Sequence, residues 1–164
     1  MKIKILNEIK KTLESVSEAK AKKLVNEIVK AREINLIGQG RSWHVAKMFS
    51  MRLKHLGLDV GRLGKSPGKT TNKDLTIVIS GSGESKDILK IVKGIKKGKI
   101  ITLTLHSNSD IAKEADLIIK LNAKKTKQPM RSLFEQSALI YFDWIVLLLM
   151  KKLKISEKEM WKRH

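Results

Sequence analysis

Five short apolar runs, interleaved with segments of helical periodicity, set the strongest limit on what this chain can become. EINLIG (33–38), DVGRL (59–63), LTIVIS (75–80), KIITLTL (99–105) and DLIIKL (116–121) have strand composition, and several are apolar at nearly every position. A strand with one wet face alternates, so near-continuous apolar runs point to strands covered on both faces, as in a parallel sheet between helical layers. Residues 5–31 form a first amphipathic helix. In SWHVAKMFSMRLKHLG, Val45, Phe49, Leu53 and Leu56 recur at spacings of three and four, with Gly57 as the stop. SKDILKIVKGIKKG repeats the pattern and ends at Gly98, and 131–164 supply a C-terminal helix and tail. The expected architecture is an α/β chain with a five-stranded, mostly parallel sheet flanked by helices, in one domain spanning 1–164.

Composition removes several classes of function. There is no cysteine, which excludes disulfides, thiolate metal sites and a cysteine nucleophile, and makes a reducing, cytoplasmic setting the default. The net charge is +19, but lysines are spread over nearly every segment and aromatics are 4% of the chain. Without a helix-turn-helix, zinc-finger or aromatic RNA-sheet signature, this reads as a solvated surface that attracts anionic substrates, with no specific nucleic-acid partner. The start of the chain lacks the apolar core of a signal peptide, and SALIYFDWIVLLLM (137–150) is shorter than a bilayer span, so no membrane partner is expected.

In an open α/β sheet, ligands settle beyond the carboxyl ends of the strands, where loops lead into helices. VISGSGES (78–85) lies at such a place: Ser80, Ser82 and Ser85 offer hydroxyls, Gly81 and Gly83 let backbone approach a ligand, and free N–H groups follow. These features suit a phosphate. They equally suit a turn whose serines cap the next helix. LIGQGRSW (36–43) has the same design and contributes Ser42. Trp43 stands where a dinucleotide fingerprint needs its third glycine, and no G-x-x-x-x-G-K-[ST] occurs, so a small phosphorylated metabolite is favoured over a nucleotide.

GQGRS, MRLKHLG, VISGSGES, PMRSLFEQSALIYFDWIV and the terminal SEKEMWKRH together resemble the sugar isomerase (SIS) domain, and within it the 6-phospho-3-hexuloisomerases. The resemblance implies a three-layer α/β/α fold and interconversion of D-arabino-hex-3-ulose 6-phosphate with fructose 6-phosphate, in formaldehyde fixation or pentose phosphate supply. It also implies no cofactor, and a homotetramer with active sites shared between subunits. An arabinose 5-phosphate type of isomerase, or a non-catalytic phosphosugar sensor, would keep the same serines. Trp43 and His44 stand where small residues are common in the family.

Moving a carbonyl from C3 to C2 needs a base that removes the C2 proton and returns it at C3. Glu135, an acid at the start of a strongly apolar helix, is the candidate, because desolvation strengthens a carboxylate as a base. A helix-start acid that merely meets the dipole is the alternative. Arg52 would pair with Glu135 or reach substrate. His164 matches a family histidine that enters a neighbouring subunit's site to assist ring opening or proton transfer. His44 is ambiguous, while His55 reads as solvent-facing and His106 as a loop residue. No cluster of His, Asp and Glu has metal-ligand spacing.

Overall fold

The structure, a computed structural model, describes residues 2–61, 67–123 and 126–164. Two helices, α1 (Lys2–Glu14) and α2 (Glu18–Lys30), precede β1 (Ile34–Gly38) and α3 (Arg41–His55). Then come β2 (Leu75–Ile79), α4 (Lys86–Gly94), β3 (Lys99–Thr104), the short α5 (Asp110–Lys113) and β4 (Leu117–Lys120). A 3-10 turn at Pro129–Arg131 leads into the long α6 (Leu133–Leu153), and α7 (Glu157–Trp161) follows. The strands are ordered β1-β2-β3-β4, every pairing parallel.

Both faces of the sheet are covered, which is why its strands are apolar at most positions. Leu36, Ile77, Ile79, Ile101 and Leu103 point into a core shared with α2, α3 and α6, whereas Ile37, Val78 and Ile100 point into a second one with Ile88, Val92 and Ile111. Successive residues thus serve opposite layers. Helix α6 packs against α1, α2 and α3, so an all-round apolar helix is what its position demands. Its centre is fixed by Phe142 stacked on Phe49 at 4.2 Å.

Four expectations need correction. The sheet among the described residues has four strands: of 59–63, Val60 forms a lone parallel bridge to Ile34, and Arg62 and Leu63 lie outside the described residues. So does the start of the irregular 64–74 stretch, along with Lys124 and Lys125 of 122–129. The first helix divides at Ser15–Ser17, where the Ser17 hydroxyl accepts from Lys20 N and starts α2. Helix α4 stops at Gly94. Gly98 instead makes the entry to β3 with φ 93°, its Cα so close to Asp74 that a Cβ would lie 2.6 Å from the Asp74 carbonyl oxygen. Helix α6 is also longer than the 137–150 stretch suggests. By length and composition it is able to cross a bilayer, yet Tyr141, Phe142, Ile145 and Leu149 are buried in the core.

Two carboxylates lock connections on this frame. Glu8 of α1 accepts from Thr126 Oγ1 at 2.7 Å, Gln128 Nε2 at 3.0 Å and Lys127 N at 3.4 Å, tying down the chain just before α6. Asp74, whose side chain is 1% exposed, receives Arg32 through two bonds of 2.9 Å and Thr71 N at 2.6 Å. Burial alone would raise the Asp74 carboxyl, but the bonds from Arg32 and Thr71 outweigh it and hold it below the usual carboxylate range.

Asp74→Asn is therefore expected to destabilise the fold by roughly 2–3 kcal/mol in urea unfolding, the half-exposed guanidinium keeping the loss below that of a fully buried pair. Because the folded carboxyl titrates below its unfolded value near 3.9, its contribution is complete above that pH and is lost as pH falls through the lowered folded value. The acid-induced loss of stability should be correspondingly smaller in Asp74→Asn.

Candidate active site

Loops at the carboxyl ends of β1 and β2 meet side by side. After β1, Gly38 lets the chain turn tightly into α3: a Cβ there would sit 2.8 Å from the Ser42 carbonyl oxygen. Gly40, at φ 58°, precedes the first residue of α3. After β2, the buried Ser80 Oγ accepts from Gly83 N at 3.1 Å, closing the turn on itself. Gly83 has φ 70°, and a Cβ on it would fall 2.0 Å from Ser109 Oγ. Ser82 Oγ accepts from Glu84 N at 3.2 Å and is exposed. Ser85 Oγ caps α4 through Ile88 N at 3.4 Å and donates to Gln39 Oε1 at 2.8 Å, joining the two loops. The capping function of Ser85 is thus real, and it orients the first turn of α4, whose N–H groups and positive dipole end suit an anion. Ser42 is buried at the start of α3.

Beside Ser82 opens a cavity of about 320 Å³, lined by Ser82, Glu84, His106, Asn108 and Ser109. His106 and Asn108 also line a neighbouring cavity of about 510 Å³, whose far side carries Lys120, Thr126 and Arg131. His106, expected to be a plain loop residue, is a wall of both. Its position after an apolar strand was the available signal, and the same signal applied to Asn108.

Glu135 enters through α6. The Phe134 ring packs over Gly81, where a Cβ would meet its Cδ1 at 3.1 Å, and this contact brings the first turn of α6 to the β2 loop. Glu135 Oε1 lies 3.4 Å from Arg41 Nη2. Its Oε2 is buried and has no hydrogen-bond partner among the described residues. A carboxylate with one oxygen beside a guanidinium and the other unpartnered keeps an oxygen on which to accept a proton. Arg41 did not stand out in the sequence, although it is the cation of the GQGRS loop and Glu135 is the only acid between Leu117 and Phe142.

Arg52 and His164 are not part of this arrangement within the chain. Arg52 lies about three turns further along α3 than Arg41, roughly 16 Å at 1.5 Å per residue, and faces Asp143 at 4.0 Å, both half exposed. The expected Arg52–Glu135 pair is replaced by Arg41–Glu135. The His164 ring lies 5.1 Å from that of His55 and 5.2 Å from that of Trp161. These residues line a separate groove of about 700 Å³ between α3, α6 and α7, with Met48, Met51, Leu147 and Trp161 exposed along it. His55 is buried, against the expectation of a solvent-facing ring. Burial, reinforced by His164 and Arg52, holds its imidazole below the usual histidine range.

The profile of the SIS domain family matches residues 27–142. A Bacillus subtilis protein named 3-hexulose-6-phosphate isomerase is 36% identical over 174 residues, covering 98% of this chain and 93% of that protein. A Methanocaldococcus jannaschii protein of the same name is 38% identical over 145 residues, covering 86% and 80%. A solved structure from Methanococcus jannaschii, described as inferring a molecular function of 3-hexulose-6-phosphate isomerase, superposes with TM-score 0.87 at 35% identity and covers 98% of this chain and 95% of that one. The chain belongs to the SIS domain family.

Gly83→Ala places a Cβ against Ser109 at a left-handed φ. It should lower the unfolding free energy by about 1–3 kcal/mol, read by urea denaturation. An unchanged midpoint would mean that the Ser80–Gly83 turn has another conformation of equal stability.

Proposed function

We propose that this chain is a 3-hexulose-6-phosphate isomerase, interconverting D-arabino-hex-3-ulose 6-phosphate and fructose 6-phosphate through an enediolate, without a cofactor. The observation that carries the reading is the buried, unpartnered Oε2 of Glu135, one residue beyond the ring that packs on Gly81. Ser82 and the first-turn amides of α4 hold the phosphate, joined by Ser85 as its hydroxyl turns from Gln39 Oε1 to the ligand. Gly81 admits the Phe134 ring that brings α6 to this loop, Ser80 fixes the turn, and Ser42 contributes from the β1 side. With the phosphate anchored, the C2–H bond is presented to Glu135. Glu135 takes that proton as the C2–C3 enediolate forms, trades it in part with solvent and then protonates C3, while the O2 hydroxyl proton passes to O3. Anchoring one end of the substrate makes the transfer effectively unimolecular.

The whole of 1–164 acts as one SIS unit in a cytoplasmic, cysteine-free enzyme. In this reading the chain self-associates, as a homotetramer, through the apolar groove between α3, α6 and α7. Exposed Met48, Met51, Leu147 and Trp161 support that placement. Arg52 and His164 lie on the same face, so their catalytic contribution is made to a site completed by a neighbouring chain.

Proton exchange tests the chemistry. Wild-type protein incubated with fructose 6-phosphate in D₂O should wash solvent deuterium into the sugar, seen by NMR. Glu135→Gln, which keeps size but cannot take the proton, should lower turnover by roughly 10² to 10⁴ with little change in sugar-phosphate affinity. Ser82→Ala should instead raise KM about tenfold, through loss of a charge-assisted hydrogen bond. Binding without exchange in the wild type would identify a phosphosugar sensor, and a fully active Glu135→Gln protein would remove Glu135 as the base.

A further inference from the structure

We propose that Arg41 is a positioning residue for the reacting carboxylate, holding Glu135 Oε1 and the turn ahead of α6 together so that Oε2 is the oxygen left unpartnered for proton transfer; this rests on Glu135 being the base. The Arg41 guanidinium reaches three acceptors from one rigid fork. Nη1 donates to Ser132 Oγ at 3.1 Å, Nη2 donates to the Met130 carbonyl, and Nη2 lies 3.4 Å from Glu135 Oε1. Ser132 Oγ in turn donates to the Pro129 carbonyl at 2.6 Å.

The turn so held is an unfavourable one. Met130 and Arg131 both have left-handed backbone, φ 54° and 58°, without being glycine. Such residues are strained and persist where surrounding contacts over-determine them. Here the contacts come from two sides: Glu8 grips 126–128, and Arg41 grips 130–132. The conformation turns the Met130 carbonyl to Arg41 and delivers Glu135 one helical turn later. Arg41 itself is placed by Gly40 at the start of α3, in the same loop whose Gln39 takes the Ser85 hydrogen bond. One loop therefore connects the phosphate-facing end of α4 to the carboxylate, and Arg41 sets the distance between them.

A guanidinium at 49% exposure adds little to global stability, so its loss should register in the chemistry. In Arg41→Ala, the kcat for isomerisation should fall roughly 10- to 100-fold with KM within about threefold, because misplacing a reacting group costs turnover more than affinity. Arg41→Lys should recover part of the loss, since a lysine can hold Oε1 but cannot span all three acceptors. In the Glu135→Gln background, adding Arg41→Ala should change residual turnover by less than about twofold, since the two residues act as a unit. Far-UV circular dichroism and the urea midpoint report folding. If Arg41→Ala does not fold, Arg41→Lys and Arg41→Gln carry the same comparison.

Unchanged kcat in Arg41→Ala, or losses that multiply with those of Glu135→Gln, would overturn the proposal. So would an increase in KM alone, which would make Arg41 a substrate ligand. A wild type that binds sugar phosphates without deuterium exchange would overturn the isomerase reading itself, and the positioning role with it.

Discussion

The contact between the Phe134 ring and Gly81 is the hinge of the whole site. It places the first turn of α6 against the loop after β2, elements more than fifty residues apart in sequence, and it is possible because position 81 has no side chain. What gives Glu135 its character follows from that approach: the burial of Oε2 and the meeting with Arg41. Phe134 is itself held by the core that α6 forms with α3, through Phe49 on Phe142 and the buried Tyr141 and Ile145. The position of the carboxylate is thus inherited from the packing of a hydrophobic helix, which ordinary core energetics keeps rigid.

The two halves of the proposed catalyst are supported differently. The phosphate-facing loop is made by glycine geometry and serine caps within a few residues of one another, and needs little beyond β2 and α4. The carboxylate depends on distant partners, with Glu8 and Arg41 fastening the chain on either side of Pro129. In the proposed reaction, a fixed carboxylate and a fixed phosphate-holding loop are what a proton shuttle between adjacent carbons requires. The high positive charge adds a general attraction for anionic sugars without specifying one.

The strands at 33–38, 75–80, 99–105 and 116–121 were legible to within a residue or two, since burial on both faces leaves an unmistakable apolar run. DVGRL was not, because a single bridge to Ile34 is a matter of how far an edge segment follows β1. The divided first helix turned on Ser17, a capping hydroxyl hidden inside a pattern whose periodicity otherwise continues. Glu135 could be picked out as an acid opening an apolar helix. Arg41 could not, because its three acceptors lie about ninety residues away along the chain and come together only in the fold. Arg52 drew attention for the same chemistry, but helical rise alone carries it some three turns from the carboxylate. The groove that gathers Arg52, Asp143, His55 and His164 was equally out of reach, since it is formed by the outer edges of three helices.

A crystal structure with fructose 6-phosphate bound decides whether the β2 loop and Glu135 act on one substrate. The phosphate should sit on the Ser82 and Ser85 hydroxyls and the first-turn amides of α4, with C2 or C3 within about 3.2 Å of Glu135 Oε2. A phosphate seated instead against Lys120 and Arg131, with the sugar carbons out of reach of Glu135, would contradict that arrangement.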